Sequence, residues 1–398
     1  MQGKRFRALS ATFALALTGA LAVVATAAAR MDSQAAPTAA KASLAPSCQR
    51  QEIGLMAPIT GPNATIGVEQ RAWARYAVQG FNTQQRRLNR RVQVILRDGD
   101  TQLDPARAST VGQRFASNSN ILGIVGPAGS QEVIAVDPIF TRTNLAMISG
   151  SATRTTLTNG SVPTFFRTVP NDSVQGPTIG RYLKQRLNAK RVVAIDDQTA
   201  YGQPLADGVA ANLRAAGVNV SRESVNVETT TDFSSLATRV PNDADYVVLA
   251  WQTAAKAQTF AQQLRQQGKR AVIFGTDGLF QPGQFRVDDS YISSFAPDIR
   301  NIPTSRSFVT GFTKAFPGIN FGTFGPPTFA ATRAMINAIQ NACRDGQVTR
   351  GEVVRQLKRT LIRGNILGGN LSFTPRGDVV GARFYIYQIR DGKYVTVG

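Results

Sequence analysis

Hydroxyls and carboxylates must carry whatever chemistry this chain performs, because histidine is absent from all 398 residues. Without an imidazole there is no Ser-His-Asp or Cys-His nucleophile and no His-based metal site. The two cysteines, Cys48 and Cys343, are too few for a thiolate zinc cluster. GxSxG and GxxxxGK[ST] are both missing, so nothing points to a hydrolase elbow or a nucleotide phosphate loop. Two hydroxyl-bearing loops remain. "GPAGSQE" is glycine-rich and opens a helical segment, so its free N–H groups and the Ser130 hydroxyl suit an anion. "SGSATRTTLT" offers Ser149, Ser151 and Thr153 just past a strand. Side by side, such loops could hold one carboxylate without an arginine, although Gly/Ser loops are also ordinary turn chemistry. An enzyme would need an acid–base pair such as Asp98 with Asp100 or Asp196 with Asp197. Adjacent aspartates commonly cap helices or end strands instead. Binding is expected, not catalysis.

The elements that would position these loops follow from the apolar patterning. "EIGLMAPI", "RVQVILRD", "ILGIVGP" and "LAMISG" read as strands. Helical segments alternate with them: "VEQRAWARYAVQGFN", "DPARASTVGQRFAS" with Asp104 as cap and Pro105 at the first position, and "SQEVIAVDPIFTRT". This β-α-β order implies a parallel sheet with helices on both faces. A second set repeats the arrangement: "SVQGPTIGRYLKQRL", "RVVAIDD", "YGQPLADGVAANLRAAG", "DFSSLATRV", "YVVLAWQ", "AAKAQTFAQQLRQQG" and "AVIFGTD". Long helical segments return at "PPTFAATRAMINAIQNAC" and "RGEVVRQLKRTL". The C-terminal "GARFYIYQIRDGKYVTV" alternates and turns at Asp391-Gly392, as an antiparallel hairpin does. The fold class is therefore α/β, with two open-sheet lobes. Ligands sit beyond the carboxyl ends of parallel strands, so the loops after each strand are the ones to examine.

The N-terminus combines Lys4, Arg5 and Arg7 with an Ala/Leu-rich stretch from Ala8 to Ala29 and small residues at Ala25, Ala27 and Ala29. It reads as a secretory signal peptide over 1–29, with an uncleaved anchor as the competing reading. Residues 30–47, rich in Ala, Ser and Pro, are expected to be a flexible linker. Cys48 lies too far beyond the apolar stretch to resemble a lipid-attachment cysteine. In an exported chain the even cysteine count favours a Cys48–Cys343 disulfide. The net charge of +20 raises the question of a polyanionic partner. The arginines are spread along the chain, and the only dense run, Arg86, Arg87, Arg90 and Arg91, lacks interleaved aromatics. It is expected to be a solvated turn, with an anionic cell-envelope partner as the alternative and no nucleic acid.

"IGLMAPITGPNATIG", "RDGDTQLDPARA", "ILGIVGPAGSQEVIAVDPIF", "SGSATRTTLT", "FFRTVPNDSVQGPTIGRYL", "AIDDQTAYGQPLADGV", "DFSSLATRV" and "FGTDGL" occur in order. Together they resemble the periplasmic branched-chain amino-acid-binding proteins, the type I receptors of ABC importers, from about residue 50 to the C-terminus. The resemblance implies two Rossmann-like lobes joined by three hinge crossovers, near Phe166–Pro170, Phe295–Pro303 and Gly369–Leu371. The lobes would comprise 48–168 with 300–368, and 169–299 with 369–398. It implies an exported, monomeric receptor without cofactor or metal that traps an amino acid and passes it to a membrane permease. A ligand sensor on the same fold is the alternative. By position, Ser130 and Thr153 would hold the α-carboxylate, and the Ser151 carbonyl and Asp277 the ammonium. Tyr201 would close on the ligand from the second lobe. Asp277 stands where a longer Glu is common, and Ile66 where a tyrosine often lines the first loop. Trp251 and Gln252 compete for an aromatic position, and Phe329 is a candidate wall of the side-chain pocket. An aliphatic amino acid is the first expectation, with amide, urea-like or aromatic ligands as alternatives. The implied fold also brings Cys48 and Cys343 to the side away from the cleft.

Overall fold

A computed structural model describes residues 46–398 apart from residue 320. The expected signal peptide and all but the last two residues of the expected linker lie outside the described residues. The chain enters through a short helix, α1 (Pro46–Gln49), into β1 (Arg50–Ala57). There follow α2 (Ala64–Arg87), β2 (Gln93–Asp100), α3 (Pro105–Ser117), β3 (Ile121–Val125), α4 (Ser130–Arg142), β4 (Met147–Ser149) and β5 (Phe165–Arg167). The five strands form one parallel sheet in the order β2-β1-β3-β4-β5. β1 is buried on both faces from Gln51 onward, which is why it reads as a continuous apolar run without alternation. Local signals start the helices where expected. The Asp104 carboxylate accepts the Arg107 N–H at 2.7 Å with Pro105 in the first turn of α3. Gly126, at φ 103°, turns the chain beside the Met56 carbonyl, which a Cβ would approach to 2.2 Å.

The second half repeats the scheme. α5 (Asp172–Arg181), β6 (Arg191–Asp196), α6 (Gly202–Ala215), β7 (Asn219–Ser224), α7 (Ser234–Arg239), β8 (Tyr246–Ala250), α8 (Ala254–Gln266), β9 (Val272–Gly275) and β10 (Tyr291–Ser294) build a second sheet. The chain then returns to the first lobe with α9 (Arg306–Ala315), α10 (Gly325–Ala342), α11 (Arg350–Lys358) and the small β11 (Leu361–Ile362) and β12 (Leu371–Ser372) ladder. It ends in β13 (Tyr385–Arg390) and β14 (Lys393–Thr396), whose hairpin turns at Asp391 and Gly392, both at positive φ. The second sheet is ordered β14-β13-β10-β9-β8-β6-β7. The hairpin makes it mixed, but its parallel part has the same 2-1-3-4-5 order as the first sheet.

Each sheet is covered on both faces. In the first lobe α2, α10 and α11 pack on one side, around Trp73 and Met335, and α3 and α4 on the other, around Phe115 and Phe140. In the second, α7 and α8 oppose α5 and α6. A smaller apolar group, Ile66, Val169, Phe295, Ala296, Phe324 and Phe384, joins the lobes where the chain passes between them. α9 is absent from the helices read from the sequence, although Phe308, Val309, Phe312 and Phe316 recur at helical spacing. It is held by tertiary contact, with Phe312 stacked on Trp73 at 3.8 Å between ring centroids.

One boundary differs from expectation. Residues 369–380 were assigned to the second lobe. Leu371 and Phe373 instead pack in the first core, Phe373 bridges to Val379, and Arg167 pairs with Asp378 at 2.6 Å. The passage to the second sheet comes between Val379 and Tyr385. The resemblance implies a crossover at Gly369–Leu371, but here Gly368 and Gly369 both sit at positive φ in the turn between β11 and β12. Among the described residues no helix is long and apolar enough to cross a membrane.

Cys48 and Cys343 are bonded, with Cα atoms 5.7 Å apart and a sequence separation of 295. The bond ties the start of β1 to the end of α10, at the end of the sheet away from the strand-following loops. Closing so long a loop stabilises by up to about 5 kcal/mol in the chain-entropy model. Urea unfolding with and without reductant, and of Cys343→Ser, should show a loss of several kcal/mol, bounded by that figure. Superimposable curves would mean that the bond contributes nothing.

Candidate ligand-binding site

In a 2-1-3-4-5 sheet the loops after the first and third strands diverge and leave a crevice. Both sheets have one, and the two crevices face each other. From the first come Ile66, beyond the β1 loop, Ala128 and Ser130 after β3, and Ser151 after β4. From the second come Tyr201 after β6, Gln252 after β8, and Asp277 with Gly278 after β9. These residues, with Leu103 and Phe324, line one small cavity. Its free volume is about 20 Å³, little more than one water, so an amino acid enters only when the lobes part. Three polar contacts clasp the lobes across the mouth. Gln131 Nε2 donates to Gln252 Oε1 at 2.9 Å, Thr65 Oγ1 to Gln281 Oε1 at 2.5 Å, and Arg154 to the Ala200 carbonyl at 2.6 Å.

The first wall is a set of hydroxyls with unequal freedom. Ser149 is consumed by the loop itself: it donates to the Pro127 carbonyl and accepts the N–H groups of Ser151 and Ala152. The Ser151 hydroxyl donates to the Ala128 carbonyl at 2.8 Å and accepts from Gln70 at 3.0 Å. Its remaining polar group for a ligand is the backbone carbonyl. Ser130, the first residue of α4, only accepts, from the Arg154 N–H at 3.2 Å, so its proton is free to donate. Among the described residues the buried Thr153 hydroxyl completes no hydrogen bond of good geometry, its nearest acceptor being the Asp172 carboxyl. Glu132 accepts the Gly129 N–H at 2.6 Å; burial raises its pKa to about 7, which moderates its repulsion of an anion at this helix start.

The second wall is acidic. Asp277 Oδ1 accepts from Gln175 at 2.6 Å and from the Tyr201 phenol at 2.9 Å. The phenol oxygen also lies 2.7 Å from Thr276 Oγ1. Tyr201 has one proton and a carboxylate can only accept, so with Asp277 ionised that proton serves Asp277. Asp277 is 3 % exposed, and among the described residues no cationic side chain is a partner. Desolvation raises its pKa to about 6 against the lowering effect of Gln175 and Tyr201. Asp172, at the start of α5, is raised to about 7 by desolvation and then by the Asp277 charge, with a Thr153 hydroxyl contact and Arg167 and Arg154 opposing. Neither of its oxygens completes a hydrogen bond of good geometry, although its own N–H donates to the Thr153 carbonyl at 2.9 Å.

Ser130, Ser151, Tyr201, Gln252, Asp277 and Ile66 thus meet in one cavity, with Thr153 beside it. Two expected residues do not. Trp251 is fully buried against Phe233 and Phe260 in the second core. Strand alternation sends it to the sheet face and leaves its neighbour Gln252 at the cleft. Phe329 packs against Trp73, Tyr76 and Phe308 in the first core, and the wall is instead Phe324, just before α10. Sequence reasoning also missed Asp172 and Gln175. The signal was present in "NDSVQG": Asn171 caps α5, and the carboxylate and amide recur at helical spacing, on one face. The aspartate pairs weighed as acid–base candidates are structural. Asp98 pairs with Arg75 and Asp196 with Arg222, while Asp100 accepts the backbone N–H groups of Ile59 and Gln102 and Asp197 that of Thr199. Among the described residues no cluster of three or more His, Cys, Asp or Glu side chains could hold a metal.

Two outcomes follow. Phe329→Ala should cost about 3–5 kcal/mol of stability, as for a large aromatic removed from a core, with ligand affinity of the folded fraction unchanged. Glu69, Glu132, Asp172, Asp197 and Asp277 all have folded pKa values raised by burial, from about 6 to about 8. Such groups favour the folded state fully below the unfolded carboxyl range near 4, and that contribution is lost as pH rises through the raised values. The melting temperature of the free protein should therefore be higher at pH 5.5 than at pH 8. The opposite slope would show that these carboxyls are ionised and compensated.

Residues 50–393 match the model of the periplasmic binding protein family. Leu/Ile/Val-binding protein homolog 1 of Brucella suis is 26% identical over 350 residues, covering 86% of this chain and 92% of that protein. The fold is similar to the crystal structure of LivJ, a branched-chain amino acid transporter substrate-binding protein of Streptococcus pneumoniae, in complex with isoleucine. Its TM-score is 0.75 at 24% identity, over 87% of this chain and 99% of that one. It is similar too to an ABC transporter solute-binding protein of Rhodopseudomonas palustris in complex with 3,4-dihydroxybenzoic acid. There the TM-score is 0.75 at 16% identity, over 88% and 97% of the two chains. The match spans both sheets, the strand order is the same in each, and the cavity lies between them: the chain belongs to the periplasmic binding protein family.

Proposed function

We propose that the chain captures a small aliphatic amino acid between its lobes, outside the cytoplasmic membrane, and delivers it unaltered to the permease of an ABC importer. One observation carries the choice of ligand. A buried acidic wall, Asp277 with Asp172 behind it, faces a wall of unspent donors at Ser130, Thr153 and the start of α4. Burying a carboxylate without a cation is costly, and a ligand ammonium offsets that cost as no neutral or anionic ligand does. The opposite wall suits the α-carboxylate. Ile66, Leu103 and Phe324 leave an apolar margin for a short side chain. The isoleucine-bound relative agrees with this polarity, whereas a benzoate would set its only charge against two carboxylates.

The assignment of roles is the same throughout: Ser130 and Thr153 to the carboxylate, the Ser151 carbonyl and Asp277 to the ammonium, and Tyr201 and Gln252 to closure. The lobe clasps suit a hinge that shuts on the ligand, the closed form being the one a permease distinguishes. Among the described residues the Ser130 hydroxyl has no carboxylate or other base among its hydrogen-bond partners, which supports a receptor over an enzyme.

Leucine, isoleucine and valine should each raise the melting temperature in a saturable way. 4-Methylpentanoate, which lacks the amine, and isopentylamine, which lacks the carboxylate, should not. Stabilisation by the deaminated acid equal to that by leucine would refute the assigned polarity. Asp277→Asn should weaken leucine at least about thirtyfold, about 2 kcal/mol, by calorimetry. It should leave the free protein as stable or more so, because a buried charge is removed. Affinity should be constant above about pH 7 and fall below about pH 6, approaching tenfold per pH unit, as Asp277 takes up its proton. In cells, loss of the gene should abolish uptake of the labelled amino acid, with wild type restoring it and Asp277→Asn not.

A further inference from the structure

Leu88 stands 50 % exposed at the end of α2, flanked by Arg86 and Arg87 on one side and Arg90 and Arg91 on the other. We propose that this turn is a docking surface for a bilayer containing anionic phospholipid. All four arginines are exposed, and among the described residues none forms an ion pair. The single side-chain contact among them is Arg86 to the Thr83 hydroxyl at 3.0 Å. What distinguishes this turn is the combination: four guanidinium groups, without counter-charges among the described residues, surround the leucine. A surface that meets headgroups through guanidinium groups and the acyl boundary through an apolar knob uses both.

The same character continues along α2. Tyr76, Phe81 and Gln84 line a groove of about 460 Å³ against Phe329 and Arg333 of α10. Steps of three and four residues from Gln84 lead to Arg87 and Leu88, so the turn prolongs the groove face of the helix. Arg333 lies over the Phe308 and Phe329 rings, 5.9 Å from each centroid, again without an ion pair among the described residues. Cationic and apolar groups thus alternate along one face from α10 to the Arg91 turn.

The placement is compatible with ligand capture. β1 and β2 run parallel, pairing Arg50 with Gln93 at one end and Ala57 with Asp100 at the other. The cleft loops leave from the Ala57 end, and the arginine turn feeds the Gln93 end, about 23 Å away along eight residues of strand. Resting on this pole leaves the cleft clear. The chain also enters the fold there, through α1 and the Cys48–Cys343 bond.

Vesicle co-sedimentation of the full chain tests the proposal. Vesicles of phosphatidylcholine alone report any binding by the apolar stretch near residues 8–29 and serve as baseline. Vesicles with about a third phosphatidylglycerol should bind at least about tenfold more tightly at low salt, and 0.5 M NaCl should abolish the excess. The two double variants, Arg86→Gln with Arg87→Gln and Arg90→Gln with Arg91→Gln, should each remove most of the excess. Leu88→Asp should reduce it severalfold, with melting temperatures and leucine affinity as in wild type. Neutralising four exposed arginines elsewhere, Arg142, Arg181, Arg186 and Arg270, should change it little. No excess over baseline, an excess kept in both double variants, or an equal loss in the scattered variant would each overturn the assignment, the last by showing that net charge alone drives binding.

Discussion

Asp277 is buried without a cation of its own, and much of the cleft is organised around that fact. Gln175 and the Tyr201 phenol both donate to one oxygen of the carboxylate, and Gln175 is itself anchored by Ser293. These neutral donors lower the cost of ionisation without cancelling it, so burial still holds the pKa up at about 6. Asp172 adds a second carboxyl that the first destabilises. Such a site is strained when empty of positive charge and relieved by it. That is a physical basis for selecting a ligand with an ammonium group.

The opposite wall is complementary because its loops are built from small residues. Gly126 and Gly129 let the chain turn tightly above β3 and expose the first N–H groups of α4. Ser149 is spent in holding the neighbouring loop in shape, which fixes the Ser151 carbonyl and the Thr153 hydroxyl in place. On the proposed reading, walls of opposite polarity on lobes joined by three strands of chain and a small apolar hinge group would make closure and binding a single event. The clasps Gln131–Gln252, Thr65–Gln281 and Arg154–Ala200 form only when the lobes are together, so they add to the closed state whatever the ligand.

Much of this was legible from local signals. Continuous apolar runs marked the parallel strands, because a strand covered on both faces needs no polar side. Asp104-Pro105 marked the start of α3, and Asp391-Gly392 the hairpin. What failed did so for nameable reasons. Trp251 and Gln252 are adjacent, and which of them faces the cleft depends on the pleat at the end of β8. Phe329 and Phe324 flank the start of α10, and only packing against Trp73 and Tyr76 commits Phe329 to the core. The crossover that the resemblance implied at Gly369–Leu371 comes later, because Leu371 and Phe373 pack in the first core and hold the chain there until after Val379.

By itself, then, the order of residues determined the α/β alternation, the absence of imidazole chemistry, the loops that would carry polar groups, and the family. These depend on periodicity and residue type within a few positions of one another. The tertiary structure alone decided which hydroxyls remain unspent and that Asp172 stands beside Asp277. It also placed Leu88 and its arginines at the pole away from the cleft. Each of these is a relation between residues distant in sequence, and its energy comes from burial and charge proximity that no local pattern encodes.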